Sequence, residues 1–278
     1  MADQEHTPAQ RGIPNGTPAD APPIPRSVQA QVVVRSAWIQ SSLNYQGMQN
    51  LGRLFCLVPV ARWLKLEKSE WPGFVRRHLG LFNSNPFISP LGLGALARLE
   101  ADHKRGAQPL AGSMIERFSE RLSTPLGAVG DELFWAAVRP QMVLLGCLVA
   151  LTAGMWGPIT LVVGFTAWQA LYRWKTFTWG WVSGSQVASV LRDRRLRLPA
   201  QRAGLVAAAC AGSLGVLLFL RHQGQIAGGH SWWSGAAFLV AAVSAGIWVH
   251  AQRPPTWALI GGLGWGLLAS VGEHLFAR

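Results

Sequence analysis

The chain has 278 residues, of which 50% are hydrophobic and only 14% charged. Soluble domains carry roughly 25% charged residues, so the deficit argues against an ordinary water-soluble globule and for contact with lipid. The net charge of +12 does not point to nucleic acid, because the bases fall in gaps between apolar runs, notably 192–197 (RDRRLR), as in the positive-inside loops of membrane proteins.

Residues 1–27 hold six prolines with Asp3, Glu5 and Asp20 and few large apolar side chains. Such a segment buries too little surface to offset its chain entropy, and a disordered tail is expected. It has no basic stretch followed by an apolar one, so it does not read as a secretory signal, and the start of the chain is expected in the cytoplasm. Residues 28–123 are half polar. Val32, Trp38, Ile39, Leu43, Met48, Leu51, Leu54 and Phe55 recur at three- and four-residue spacing, which predicts amphipathic helices broken at Pro59, Pro72 and Pro86. Trp38, Trp63 and Trp71, with Arg and Lys nearby, suit a membrane interface; the same pattern also fits a soluble helical core. A short amphipathic helix is predicted over 112–122, ending near Pro125.

The stretch 124–140 reads TPLGAVGDELFWAAVRP. It sets Pro125, Gly127, Gly130 and Pro140 among apolar residues and adds Asp131, Glu132 and Arg139. Gly and Pro loosen a helix, and ionised side chains are costly in a bilayer unless paired or facing water. Together they predict a broken or re-entrant helix lining a polar cavity, the kind of element in which transporters build sites. A polar loop leading into an ordinary helix, with Asp131 near its N-terminus, is the alternative.

A hydrocarbon core of about 30 Å needs roughly 20 helical residues. The uncharged run 140–172 exceeds that and carries Gly157-Pro158 at its middle, so a hairpin of two short or tilted helices is predicted. Three further runs, 204–220, 232–249 and 257–272, are candidate spans rich in the small residues that let helices pack in lipid. With 192–202 cytoplasmic, the C-terminus falls outside. Cys56, Cys147 and Cys210 lack C-x-x-C spacing and the histidines lack a pair at ligand spacing, so no disulfide framework and no metal site are read. The expected fold class is an all-α integral membrane protein with transmembrane and re-entrant or broken helices and amphipathic N-terminal helices. It divides into a tail (1–27), an amphipathic region at or in the membrane (28–123) and a transmembrane and re-entrant region (124–278).

Four blocks, in order, resemble the IID membrane component of mannose-family phosphotransferase systems. TPLGAVGDELFWAAVRP is similar to that family's GPLAGVGDPIFWGTxRP signature. RSAWIQSSLNYQGMQNLG (35–52) resembles its N-terminal block, with the Asn-aromatic pair and Met-Gln-x-Leu-Gly. RRHLGLFNSNP (76–86) resembles its Arg-His-Leu…Phe-Phe-Asn-x-x-Pro block, and 172–184 its aromatic and Gly-rich segment. The chain departs at Thr124, Ala128 and Ala136, where the family has Gly, and at Glu132, where it has Pro. The polar excursion beyond residue 200 is shortened to 221–231.

The resemblance implies a multi-pass subunit of a bacterial inner-membrane sugar permease. It would pair with a IIC subunit, work with the IIA and IIB phosphocarriers, and import a hexose that IIB phosphorylates. It also implies that no residue of this component is phosphorylated, so no catalytic residue and no cofactor are expected, and membrane lipid but not nucleic acid is a partner. From the residues alone, a phosphoryl-carrying site needs an activated His or Cys. His78, behind Arg76 and Arg77, is the one candidate, and a basic helix face at the membrane surface is its other reading. No G-x-x-x-x-G-K-[ST] loop is present. Neutral amides offer sugar hydroxyls both donors and acceptors, which makes Asn83, Asn85, Asn44 and Gln46 candidates for substrate binding, although each also suits a turn or cap. Asp131, Arg139, Gly127, Gly130 and Pro125 are candidates for structural or gating roles, with Asp131 and Arg139 expected to pair across the break. The lost glycines motivate a second reading, a degenerate IID-like paralogue with a regulatory or assembly role.

Overall fold

The computed structural model describes residues 23–106, 112–193, 196, 210–212 and 214. The expected tail, most of the 192–202 basic cluster and the spans 204–220, 232–249 and 257–272 lie wholly or largely outside these residues. The elements are α1 (Arg26–Arg35) with a 3-10 turn (Ser36–Trp38), α2 (Asn50–Trp63), α3 (Trp71–His78), α4 (Ser89–Lys104), α5 (Gly112–Gly130), a π-helix (Asp131–Val138), α6 (Arg139–Ala153), α7 (Trp156–Ser183), a second 3-10 turn (Gly184–Gln186) and α8 (Val187–Arg192). Among the described residues there is no strand, only two isolated bridges, Asn44–Met48 and Met48–Phe82. The chain forms two compact units, one drawing on Met1–Pro140 and Val162–Ala203, the other on Gln141–Leu161 and Gly204–Arg278.

In the first unit α4 is the central helix. Its sequence SPLGLGALARLEADHK starts with Pro90 in the first turn, where the missing N–H costs nothing, and it ends on His103 and Lys104, which oppose the negative end of the helix dipole. Gly106 then turns the chain at φ +63. Twelve of its sixteen residues are buried, so helices pack on it from several sides. Gly94 and Gly180 bring α7 against it at backbone distance: a Cβ on Gly94 would strike the Phe177 carbonyl, and one on Gly180 the Leu91 carbonyl.

Two expected helix breaks do not occur. Helix α2 runs through Pro59. Proline removes the N–H that would bond the carbonyl four residues back, and Arg35 takes that orphaned acceptor, its guanidinium donating to Phe55 O at 2.9 Å. Helix α5 likewise continues through Pro125 to Gly130. Pro72 lies in the first turn of α3 and Pro86 in the turn before α4, as boundaries should. The helical run Gly112–Ala153 is, by length and composition, the one described segment long and apolar enough to cross a membrane.

In the second unit, residues 141–161 form a helical hairpin. Its turn falls at Gly154, φ +59, three residues before the expected Gly157-Pro158. Gly157 is used instead for packing, since a Cβ there would meet Ala150 and the Gly146 carbonyl.

Gly180→Val should overpack the α4–α7 crossing at a cost of about 1–3 kcal/mol, lowering the yield of monodisperse protein in detergent and its unfolding midpoint. Gly164→Ala, where an added Cβ meets nothing within 4 Å, should leave both unchanged or slightly raised.

Candidate functional site

Two loops carry the amide side chains singled out above, and the fold zips them together. The loop before α2 and the loop before α4 meet through Gln49 N, which donates to Phe82 O at 2.8 Å, and Phe82 N, which donates to Gly47 O at 3.2 Å. The Gln49 side chain completes the seam from both ends, donating from Nε2 to Ser84 O at 2.5 Å and accepting from Ser84 N at 3.2 Å. Asn83 and Asn85 thus flank a residue whose backbone is held by a buried amide. Gln49 was not among the sequence candidates, although it is the Gln of the Met-Gln-x-Leu-Gly block.

Helix α5 and the π-helix hold the second loop from the other side. Ser123 Oγ accepts from Asn83 N at 2.6 Å and donates to Asn83 O at 2.5 Å. The Asn83 side chain remains exposed. Asn85 is buried: its Oδ1 accepts from Phe87 N at 3.0 Å and its Nδ2 donates to Asp131 Oδ1 at 2.8 Å. Gly130 is required here, because a Cβ on it would collide with the Asn85 side chain, whereas Gly127 faces the Asn83 carbonyl at ordinary contact distance and Pro125 lies exposed.

Asn44 folds back on its own loop, accepting from Gly47 N at 2.8 Å and Gln46 N at 3.2 Å and donating to Asn50 Oδ1 at 2.8 Å. That is the turn-forming role its residue type allows. Gln46 is exposed beside it.

The expected Asp131–Arg139 pair does not form. Asp131 bonds Asn85, and the Arg139 guanidinium lies 4.8 Å over the Trp135 ring. The irregularity of 124–140 takes the form of a widened helix rather than an interruption: Arg139 N–H reaches back five residues to Phe134 O. Without a break the two charges stay on one continuous helix, about two turns apart, too far for a direct bond.

An aromatic group underlies Asn85 and Asp131. Phe87 stacks on Phe134 with centroids 4.7 Å apart and meets Trp135 edge-on at 5.5 Å; Phe134 in turn contacts Trp168 and Tyr172 at 5.3 and 5.2 Å. Amides, a carboxylate and aromatic faces in one neighbourhood can hydrogen-bond hydroxyls while covering C–H surface.

Behind the loops sits a buried ionic cluster, outside the Gly112–Ala153 candidate span except for Ser119. Arg53 donates to His78 O at 3.1 and 2.8 Å, to Gly80 O at 3.0 Å and to Ser119 Oγ. Arg77 grips Glu100 with two bonds of 2.9 and 2.7 Å, and His78 Nε2 lies 3.0 Å from the same carboxylate. His78 is fully buried, which corrects both readings of it: it is neither open to a phosphoryl donor nor part of an exposed basic face. Burial pulls its imidazole below the usual range, outweighing the hydrogen bond and charge of Glu100. Burial alone would raise Glu100, but its bonds from His78 and Arg77 prevail and hold it at about 2. Burial lowers Arg53 to about 10, still cationic at neutral pH. The neutral His78 therefore donates from Nε2 to Glu100. Among the described residues no group of three or more metal-ligating side chains occurs.

A family model described as PTS system mannose/fructose/sorbose family IID component matches residues 24–218. The mannose-specific EIID component of Escherichia coli K12 is 34% identical over 157 residues, covering 56% of this chain and 55% of that protein. The fructose permease IID component of Bacillus subtilis is 24% identical over 181 residues, 65% of this chain and 66% of that one. In these matches the chain spans about half the length of its mannose-specific and sorbose-specific relatives. Among solved structures, one described only as that of a membrane protein superposes at TM-score 0.63 with 24% identity over 90% of this chain and 98% of that one. The mannose transporter ManYZ, solved in complex with microcin E492, gives TM-score 0.54 with 22% identity over 90% and 97%. At these identities the likeness shows the fold, and it bears out the all-helical membrane class expected above.

The Asn85→Asp change should destabilise the protein by setting two carboxylates together, and adding Asp131→Asn should restore the bond in reverse. The expected coupling is about 0.5–3 kcal/mol in unfolding free energy, with Asp131→Asn and Arg139→Gln additive.

The lowered values of His78 and Glu100 mean that the unfolded chain binds more protons, so stability falls on acidification. The His78 contribution is whole above the ordinary imidazole value of 6.5 and is lost as pH drops below it; that of Glu100 fades later, from 4.5 toward about 2. His78→Gln, which keeps the donor to Glu100, should flatten the decline of the unfolding midpoint as pH falls below about 6.5.

Proposed function

The chain belongs to the mannose/fructose/sorbose family of phosphotransferase-system IID components, and from that membership we propose that it is the IID membrane subunit of a phosphoenolpyruvate-dependent sugar permease. In this reading it lies in the bacterial inner membrane as a multi-pass protein, with 28–123 at or in the membrane and 124–278 crossing or re-entering it. It pairs with a IIC subunit, and a hexose taken up through the pair is phosphorylated by IIB, itself charged by IIA. The subunit itself is non-catalytic, a role that the burial of His78 supports.

The family membership carries the reading, and the sugar-contacting part of it draws on the seam of amide-bearing loops fastened to the π-helix at Asn85 and Asp131. Asn83 and Gln46 remain exposed beside it, placed to exchange hydrogen bonds with sugar hydroxyls, while Asn44 and Asn85 hold the loops in shape. Gly130 lets the helix that faces them close on Asn85; Asp131 opens the widened element and Arg139 follows it as the first residue of α6.

The departures from the family pattern favour a working subunit over a degenerate paralogue. Thr124, Ala128, Glu132 and Ala136 are all exposed, so the departures fall outside the packed core of the described residues. The close-packed glycine, Gly130, is kept.

Membrane vesicles holding this chain, a IIC partner and the soluble carriers with phosphoenolpyruvate should accumulate sugar phosphate, and vesicles lacking IIC should not. Asn83→Ala should raise KM roughly fivefold, the loss of about 1 kcal/mol for one hydrogen bond, with folding unchanged. Accumulation without IIC would overturn the subunit reading; folded protein inert with every partner present would favour the regulatory paralogue.

A further inference from the structure

A cavity of about 290 Å³ opens between the chain entering α3 and the last turns of α4, and none of the amide-loop residues lines it. Arg77 and Glu100 face it from α3 and α4, and Ser69, Glu70 and Gly73 from the chain leading into α3. Lys104 reaches across to Glu70 at 2.8 and 2.6 Å. Small-molecule sites run from about 300 to 1,000 Å³, so this one suits a compact polar ligand.

Hydrogen-bond capacity identifies the ligand. Both carboxylates are committed. Glu100 accepts two bonds from Arg77 and one from His78, and its side chain is 1% exposed. Glu70 accepts twice from Lys104 and once from Glu67 N. Donors are left over. Arg77 gives Nε and Nη2 to Glu100, while its Nη1 has no acceptor among the described residues. That nitrogen is uncovered because residue 73 is glycine: a Cβ there would sit 3.3 Å from it. The Gly73 N–H belongs to the first turn of α3, where no intrahelical acceptor exists. Lys104 keeps a third N–H, and Ser69 an exposed hydroxyl. A guanidinium edge, an ammonium and a helix N-terminus beside engaged carboxylates call for a ligand that only accepts. Tetrahedral phosphate oxygens meet donors converging from α3, α4 and the preceding loop better than a planar carboxylate does. The Glu70–Lys104 pair is half-exposed and opens at little cost, so a dianion can take Lys104 while Glu70 keeps the Glu67 N–H.

The fold also places the source of the ligand. Leu91 packs by Gly180 and Arg98 by Gly184, so α4 and α7 run parallel. The C-terminal end of α4 therefore shares its side of the unit with α8 and Arg192, the side on which the 192–202 cluster is expected in the cytoplasm.

We propose that this cavity binds a soluble phosphate monoester, held by Arg77 Nη1, Lys104 and the first turn of α3. The binding is separate from the amide loops and is measured without transport, so it stands or falls apart from the subunit reading.

The test is calorimetric titration of the full-length chain in neutral detergent with inorganic phosphate and with glycerol 3-phosphate. Both should bind saturably, and chloride and acetate at equal ionic strength should not. Lys104→Ala should weaken binding about tenfold, the loss of one charge-assisted bond. Gly73→Ala sets a methyl against Nη1 while favouring the helix, and should weaken binding about threefold with the unfolding midpoint unchanged or raised. Glu70→Gln, which removes the competing carboxylate, should tighten it. Arg77 is left in place, since buried Glu100 depends on it. Phosphate heat no greater than that of acetate overturns the proposal, as does an affinity that Lys104→Ala and Gly73→Ala leave unchanged. In nanodiscs, phosphatidic acid that abolishes the phosphate titration assigns the site to a lipid headgroup and overturns the soluble ligand.

Discussion

Arg53 carries its charge into the middle of the first unit, where Glu120 and Glu116 act on it through their charge and its hydrogen bonds go to carbonyls and a hydroxyl instead. Its guanidinium is spent on the carbonyls of His78 and Gly80 and on Ser119 Oγ, with its face 4.8 Å over Phe82. A buried cation is tolerable only when its donors are met, so the end of α3, the loop after it and helix α5 must all stand where α2 presents this one group. The seam between the amide loops forms at the far side of the same tie. Gln49 lies one helical turn before Arg53, and the carbonyls that Arg53 holds lead directly into Phe82 and Ser84.

A shortage of acids is met elsewhere by aromatic rings. The chain has 25 Lys and Arg against 13 Asp and Glu. Arg35 lies over Phe55, Arg53 over Phe82, Arg139 over Trp135 and Arg173 over Phe87. A ring face attracts a cation without bringing a second charge out of water, which suits a protein of low dielectric surroundings. Arg173 adds bonds of 3.0 Å to the carbonyl and hydroxyl of Ser36, tying α7 to the end of α1 beneath the aromatic group of the candidate site.

Much of this was legible in the residues. The helical class and the family follow from composition and ordered motifs, while the turn that Asn44 makes is only one of the two roles its residue type allows. What stayed hidden depended on contacts between distant segments. Pro59 reads as a break until Arg35 is known to take the Phe55 carbonyl. Asp131 and Arg139 read as partners because they are near in sequence, yet Asn85, 46 residues away, wins the carboxylate. His78 looked basic and exposed beside two arginines, and only the fold shows Glu100 waiting opposite it. Gln49 stands inside the Met-Gln-x-Leu-Gly block, yet nothing local shows that its side chain holds the backbone of another loop.

The π-helix has a consequence for how the chain tolerates change. Each turn of such a helix takes in more residues than the 3.6 of an α-turn, so Asp131–Val138 works as a vernier between α5 and α6. The buried positions Leu126, Gly130, Phe134 and Val138 recur at fours, with Val129 and Leu133 buried beside them, a spacing that would drift around an α-helix but drifts less on the wider turn. One residue gained or lost within the vernier changes the phase of Phe134 and Val138 relative to Asp131 by somewhat less than the roughly 100° per residue of an α-helix. The segment is therefore a phase control: substitutions on its outer side leave it untouched, while a single insertion would carry Phe134 and Val138 off the face they share with Gly130.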